Sequence, residues 1–281
     1  MALARLIVPQ RRLVRTALVL AVAGIVLAGA DALARQRRYG GRYPTPTEES
    51  FDGSFNFCRA AFRTGRFGRG GGWNVDYPEA DVNFSIRLSE LTRTRVSFDA
   101  ERSPKHFVMQ LTDPVLFRCP FVMMTEPGGL FLDDAEVANL RDYLLKGGFL
   151  WADDFWGQAA WAVFEQEMRK VLPAAEFPIR EVSGDHPMLR MQFPLSAIKQ
   201  IPSINFWAGS GGGTSEWGSD SRIPEARTFV DKHDRVLVLA THNTDYGDSW
   251  EREAENPEYF LNFSVPGYAF GINVLLYAMS H

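Results

Sequence analysis

The chain has 281 residues, 46% hydrophobic and 23% charged, with a formal net charge of −4. That is globular composition, with chain enough for one large α/β domain or two small ones. A mildly acidic chain excludes nucleic acid as an expected partner, because phosphate binding needs clustered Lys and Arg.

Arg5, Arg11, Arg12 and Arg15 precede an apolar run from Ala17 to Ala30, followed by Ala32-Leu33-Ala34. A basic region, an apolar region and small residues before a cut make the pattern of a secretory signal. Cleavage after Ala34 is expected over a retained membrane anchor, since the run is short for a bilayer span. Arg11-Arg12-Leu13-Val14 also carries a weak twin-arginine signature. Loss of residues 1–34 removes four arginines and Asp31, moving the formal charge from −4 to −7. The expected location is therefore exported: periplasmic, or anchored and facing the periplasm, with membrane contact through the N-terminal segment alone. Residues 35–50, basic as far as Arg42 and then carrying Pro44 and Pro46, read as a flexible linker. Residues 51–281 read as a single domain.

Within that domain, Phe55 to Phe62 alternates with aromatic weight and predicts a strand. Gly65 to Gly72 is a loop without the Gly-Lys-Ser/Thr ending of a phosphate-cradling P-loop. Asp81 to Leu91 places Phe84, Leu88 and Leu91 at helical spacing, and Val96–Phe98, Phe107–Leu111 and Phe121–Met124 read as strands. Thr125 to Gly129 is a turn by its Pro and Gly content. Asp133 with Glu136 makes a capping pattern, Val137, Leu140 and Leu144 form a stripe, and Gly147-Gly148 ends the helix. Phe149 to Ala152 is the next strand, which makes strand–helix–strand, a parallel crossover. A second helix carries Trp161, Phe164, Met168 and Val171 and stops before Pro173. Phe177 to Ser221 reads as irregular, Val236 to Ala240 as a strand, and the last helix sets Ile272, Leu275, Leu276 and Met279 on one side, as core. The alternation predicts one doubly wound, mainly parallel α/β sheet.

Cys58 and Cys119 both lie in strand-like runs. Export would permit a disulfide, and the expectation is two buried free thiols.

Several segments together resemble a known family: Trp73 to Asp81, Gly147 to Gly157, Asp185-His186-Pro187, His242 to Glu251, Gly271-Ile272-Asn273 and Tyr277 to His281. They are similar to the bacterial domain-of-unknown-function family numbered four-one-five-nine, over nearly all of Phe55 to His281. Ser249 stands where that family's pattern has Gly. The resemblance implies a class I glutamine amidotransferase-like fold of the flavodoxin-like superfamily, and an unassigned function. Amidotransferases carry a nucleophilic Cys on a tight strand-to-helix turn. Here that turn offers Asp153-Asp154, with no Gly-x-Cys-x-Gly or Gly-x-Ser-x-Gly elbow in the chain. Glutaminase chemistry is therefore not expected.

Strand carboxyl ends are where open parallel sheets bind ligands. Asp153 and Asp154 at one such end can hold a hard cation, position water or bond sugar hydroxyls; one of them can instead cap a helix. His242, Asn243, Asp245 and Asp248 at another end offer a base, an orienting amide and carboxylates, in a sequence that also forms turns. Trp250 can stack on a sugar ring or pack in the core. His186 matters only if it folds toward Asp154 or Asp245. No His-Glu-x-x-His or Cys-x-x-Cys zinc pattern occurs. The candidate ligand-binding set is thus Asp153, Asp154, His186, His242, Asn243, Asp245, Asp248 and Trp250, with Asp153, Asp154 and Asp245 as candidate ligands of a divalent cation. The expected function is an exported, envelope-associated binding or assembly domain with an acidic cleft, its partner an envelope protein or glycan. The alternative is a metal-assisted hydrolase acting on an envelope substrate.

Overall fold

The short apolar runs pair into a seven-stranded sheet in a computed structural model that describes residues 43, 45–65 and 71–281. The expected signal (1–34), the basic part of the linker (35–42) and the centre of the glycine loop (66–70) lie outside the described residues. The sheet comprises β1 (Phe57–Ala61), β2 (His106–Gln110), β3 (Phe121–Thr125), β4 (Phe149–Phe155), β5 (Ile179–Glu181), β6 (Glu225–Val230) and β7 (Val236–His242). Their order is β2-β1-β3-β4-β7-β6-β5. The first five neighbours are parallel, and β6 and β5 add antiparallel pairs at one edge. Taken in chain order, the parallel strands run 2-1-3-4-5, the order of flavodoxin-like doubly wound sheets.

Helices flank this sheet. Phe84 and Leu88 of α1 (Glu79–Leu91), Trp250 of α5 (Tyr246–Glu251) and Phe270, Ile272 and Leu275 of α6 (Val265–Ala278) share one core with Phe57, Phe121 and Trp151 of the strands. Leu140 and Leu144 of α2 (Asp134–Leu145) and Phe164 and Met168 of α3 (Gly157–Val171) are buried outside that core, against the other face. The capping pattern forms as read: Asp133 accepts from the N–H groups of Ala135 and Glu136, and Glu136 returns a bond to the Asp133 N–H. A short helix, α4 (Ile204–Gly209), and the edge strand β5 lie within the stretch read as irregular.

Four expectations are corrected. Val96 and Phe98 make only isolated bridges, with Phe55 and Pro104, rather than a strand. Met279, read as core, follows the last turn of its helix and is exposed. The linker is partly built into the fold, because Glu48–Ser50 forms a 3-10 turn and the Tyr43 ring meets Trp73 edge-on at 5.1 Å. Finally, Cys58 and Cys119 are joined as a disulfide with Cα atoms 6.2 Å apart. β1 and β3 are neighbours although 61 residues separate the two cysteines, and that adjacency is a topological fact the local pattern does not contain. The 22-residue helical run Pro257–Ala278 is apolar and long enough to cross a membrane, yet its most apolar window is 61% buried in the fold, as a core helix is.

Candidate functional site

Strand order reverses between β1 and β3, and the crevice beyond their carboxyl ends is where such sheets bind ligands. A buried ion pair builds its floor. Arg59 on β1 is fully buried and donates through Nε to both oxygens of Asp81 on α1, each at 3.1 Å. Its Nη1 donates to Thr125 Oγ1 at 2.5 Å and to the carbonyls of Trp73 and Val75 at 3.2 and 3.0 Å. One guanidinium thus fixes the segment that enters α1 and sets Asp76 over the crevice. Neither Arg59 nor Asp76 was among the expected site residues. The available signal was an arginine inside an otherwise apolar, aromatic strand, since such a charge is retained only when paired.

The Asp153-Asp154 pair is shaped by a β-bulge. The β4–β7 register passes from Ala152↔Ala240 to Phe155↔His242, so one extra residue sits on β4. Trp151 faces Tyr246, Trp250 and Phe270, whereas Phe155, four residues on, packs on Trp161 and Phe164 of α3. Regular alternation would put both rings on one face. Asp154 takes the turn with φ of 58°. Asp76, Glu126 and Asn243 share this left-handed backbone, so four of the six non-glycine positive-φ residues described border this end of the sheet. Such conformations cost about 1–3 kcal/mol each and gather at functional sites.

The two aspartates then separate in role. Asp153 is inaccessible and fully engaged: Oδ1 accepts from Thr241 Oγ1 at 2.5 Å, and Oδ2 from the N–H groups of Tyr246 and Gly247 at 2.7 and 3.2 Å. It holds the start of α5 in place. The expected role of Asp153 as a cation ligand is therefore corrected. Asp154 instead meets Asp76 and Asp245; one ligand atom from each lies within 4.8 Å of the others, and all three residues are buried. Asp154 also accepts from Trp156 Nε1 at 3.0 Å, and Asp245 caps α5 through Asp248 N–H at 2.7 Å. Asp76 differs from both, because its Oδ2 is buried with no hydrogen-bond partner. That oxygen lies against the α-carbon of Gly247, where an added Cβ would stand 2.2 Å from it and 3.5 Å from Asp245 Oδ1. A side chain at position 247 would fill the gap between the carboxylates.

Other expected members are elsewhere. His242 is inaccessible, with Nε2 donating to the Gly157 carbonyl at 2.9 Å and Nδ1 3.0 Å from Glu225 Oε2. Its ring lies against Phe155 and Trp161, in the α3 layer. Asn243 ties the end of β7 to α3, accepting from Gly157 N–H and donating to the Ile223 carbonyl. Trp250 is core, packed on Phe84 and Trp151, and offers no face to a sugar. His186 caps the 3-10 turn Pro187–Leu189 and packs on Tyr277, and it joins neither aspartate group. Asp248 does border the cluster, its Oδ2 accepting from Ile204 N–H at 2.6 Å and from the Tyr259 hydroxyl at 3.2 Å. Glu126 is present too, accepting from Gly72 N–H at 2.7 Å. A cavity of about 100 Å³ adjoins Asp154, lined also by Glu126, Trp156, Glu216 and Trp217.

Burial, and then the neighbouring negative charges, raise the carboxyls of Asp154 and Asp245 well above the usual range. Burial does the same to Asp76, against the pull of Arg59. Asp153 is pushed up to about 7 by burial, its hydrogen bonds opposing the shift. A carboxyl raised in the folded state favours folding below its unfolded value, and this contribution is lost as pH rises through the folded value. Chelator-treated protein is thus expected to lose stability as pH rises from about 4, with the Asp153 contribution lost through about pH 7, each raised group contributing up to about 1.4 kcal/mol per pH unit. Melting temperature against pH checks this, and a flat or rising profile would count against crowded, cation-free carboxylates.

No curated protein matches the chain. The profile of the family described as domain of unknown function (DUF4159) matches residues 60–279, and the chain belongs to that family.

Proposed function

We propose that the protein is an exported, envelope-associated binding domain that takes its ligand at the acidic crevice, through a hard divalent cation held by Asp76, Asp154 and Asp245. The observation that carries this reading is the buried, unpartnered Oδ2 of Asp76, a residue that offers a carboxylate oxygen within 4.8 Å of those of Asp154 and Asp245. A buried polar atom without a partner costs free energy, about 1–3 kcal/mol and more when charged, and a cation would offset it. An all-carboxylate donor set suits Mg²⁺, Ca²⁺ or Mn²⁺ rather than zinc or copper.

The amidotransferase-like, flavodoxin-like placement belongs to the same proposal and draws support from the 2-1-3-4-5 order of the parallel strands. Glutaminase chemistry stays outside it, since both cysteines are in the disulfide. Export is supported by the signal pattern and by that disulfide, as such bonds persist in oxidising compartments. Binding is favoured over hydrolysis because His186 and His242, the two candidate histidines, are engaged by a 3-10 turn and by the Gly157 carbonyl.

The test is thermal unfolding of the full chain after chelation, with and without Mg²⁺, Ca²⁺ or Mn²⁺. One of these ions at a hundred times its dissociation constant should stabilise the fold by about 2.7 kcal/mol. Asp154→Asn and Gly247→Ala should each remove that response, the second by placing a methyl group against Asp76. Equal responses in wild type and both variants would refute the site.

A further inference from the structure

Asp76 belongs to two carboxylate groups. Besides Asp154 and Asp245, it meets Asp248 and Glu251 of α5, again with one ligand atom from each within 4.8 Å of the others. We infer that Asp76 is a bridging ligand and that Asp248 and Glu251 hold a second hard divalent cation beside the first, so that the crevice is a two-cation centre. The inference rests on the cation reading of the first group.

Three observations carry it. First, Asp76 is 6% exposed and its Oδ2 has no hydrogen-bond partner, so its carboxylate is oriented without any protein donor. A carboxylate has two oxygens, and one shared between neighbouring cations can ligate both. Second, Asp248 gives one oxygen to Ile204 N–H and Tyr259 OH, which fixes the side chain and leaves its other oxygen for a cation. Glu251, one turn along α5 and half-buried, supplies the solvent-side ligand. Third, the local charge is unbalanced. Asp76, Asp154, Asp245, Asp248 and Glu251 are all carboxylates, while Arg59 is paired with Asp81 and Arg252 with Glu255. One divalent ion leaves three formal negative charges in the group, and two leave one. Cations sharing a carboxylate lie about 3.5–4 Å apart, a spacing that a bridging oxyanion can span.

The experiment titrates the full chain, after chelation, with Mn²⁺, reading bound metal by equilibrium dialysis and magnetic coupling by electron paramagnetic resonance. Wild type should bind two Mn²⁺ per chain and show an exchange-coupled spectrum. Glu251→Gln, at a half-buried position, should bind one and show the uncoupled signal of a lone ion. Asp248→Asn, which keeps an acceptor for Ile204, should do the same. One equivalent in wild type, unchanged in Glu251→Gln, would overturn the second position and leave the first intact. No bound Mn²⁺ in wild type would overturn both.

Discussion

Replacing Asp81 by alanine is expected to destabilise the protein by about 3–5 kcal/mol, because it leaves the Arg59 guanidinium buried without its counter-charge. Both side chains are inaccessible to solvent. The loss exceeds that of an exposed ion pair such as Lys146–Asp142, whose removal should cost under about 1 kcal/mol. Replacing both partners by apolar residues, Arg59→Met with Asp81→Leu, should restore much of the stability, since a buried pair removed whole can be close to neutral. The cation response should not return with it. Without Arg59 the Trp73 and Val75 carbonyls lose their donor, and Asp76 is no longer held over the crevice. Urea unfolding with and without Mn²⁺ separates the two effects. A double variant that regains both stability and cation response would show that Arg59 serves the fold alone.

Asp153→Ala is expected to cost about 3 kcal/mol or more. It strips the buried N–H groups of Tyr246 and Gly247 of their acceptor and leaves the Thr241 hydroxyl only its 3.3 Å bond to the Ala152 carbonyl, at about 1–3 kcal/mol for each donor left unsatisfied. Asp153→Asn should stay within about 1 kcal/mol of wild type, because the amide oxygen can accept from both N–H groups while its NH₂ faces the Thr241 hydroxyl. The contrast separates an acceptor role from a charge role. Equal destabilisation by both substitutions would mean that the negative charge itself is required at Asp153. Urea midpoints, with the denaturant slope checked to be constant, decide between them.

Much of the sheet was legible because its strands are buried apolar runs bounded by turn residues. Phe121–Thr125 and Phe149–Phe155 lie parallel as the helix between them required, and Val236–His242 pairs parallel with the second of them. The acidic character of the strand ends was legible for the same reason: ends follow from strands. What local pattern could not supply was which side chains meet. The bulge at Asp153-Asp154 breaks the alternation on which facing is inferred, so one aspartate became a scaffold acceptor and its neighbour a crevice residue. His242 reads as chemistry in a row of polar letters, yet the strand continues through it and turns its ring into the α3 layer. Asp76 lies over 70 residues before Asp154 in sequence and joins it because the sheet sets β1, β3 and β4 side by side. The same long-range adjacency brings Cys58 to Cys119.

The most direct measurement is an anomalous difference map from crystals of the full chain grown with Mn²⁺. The expected result is a peak between about 2.0 and 2.6 Å from carboxylate oxygens of Asp76, Asp154 and Asp245, the range for hard cations on oxygen ligands. A map without density among these three residues at saturating Mn²⁺, or with Asp76 Oδ2 bonded to a protein donor instead, would contradict the cation site.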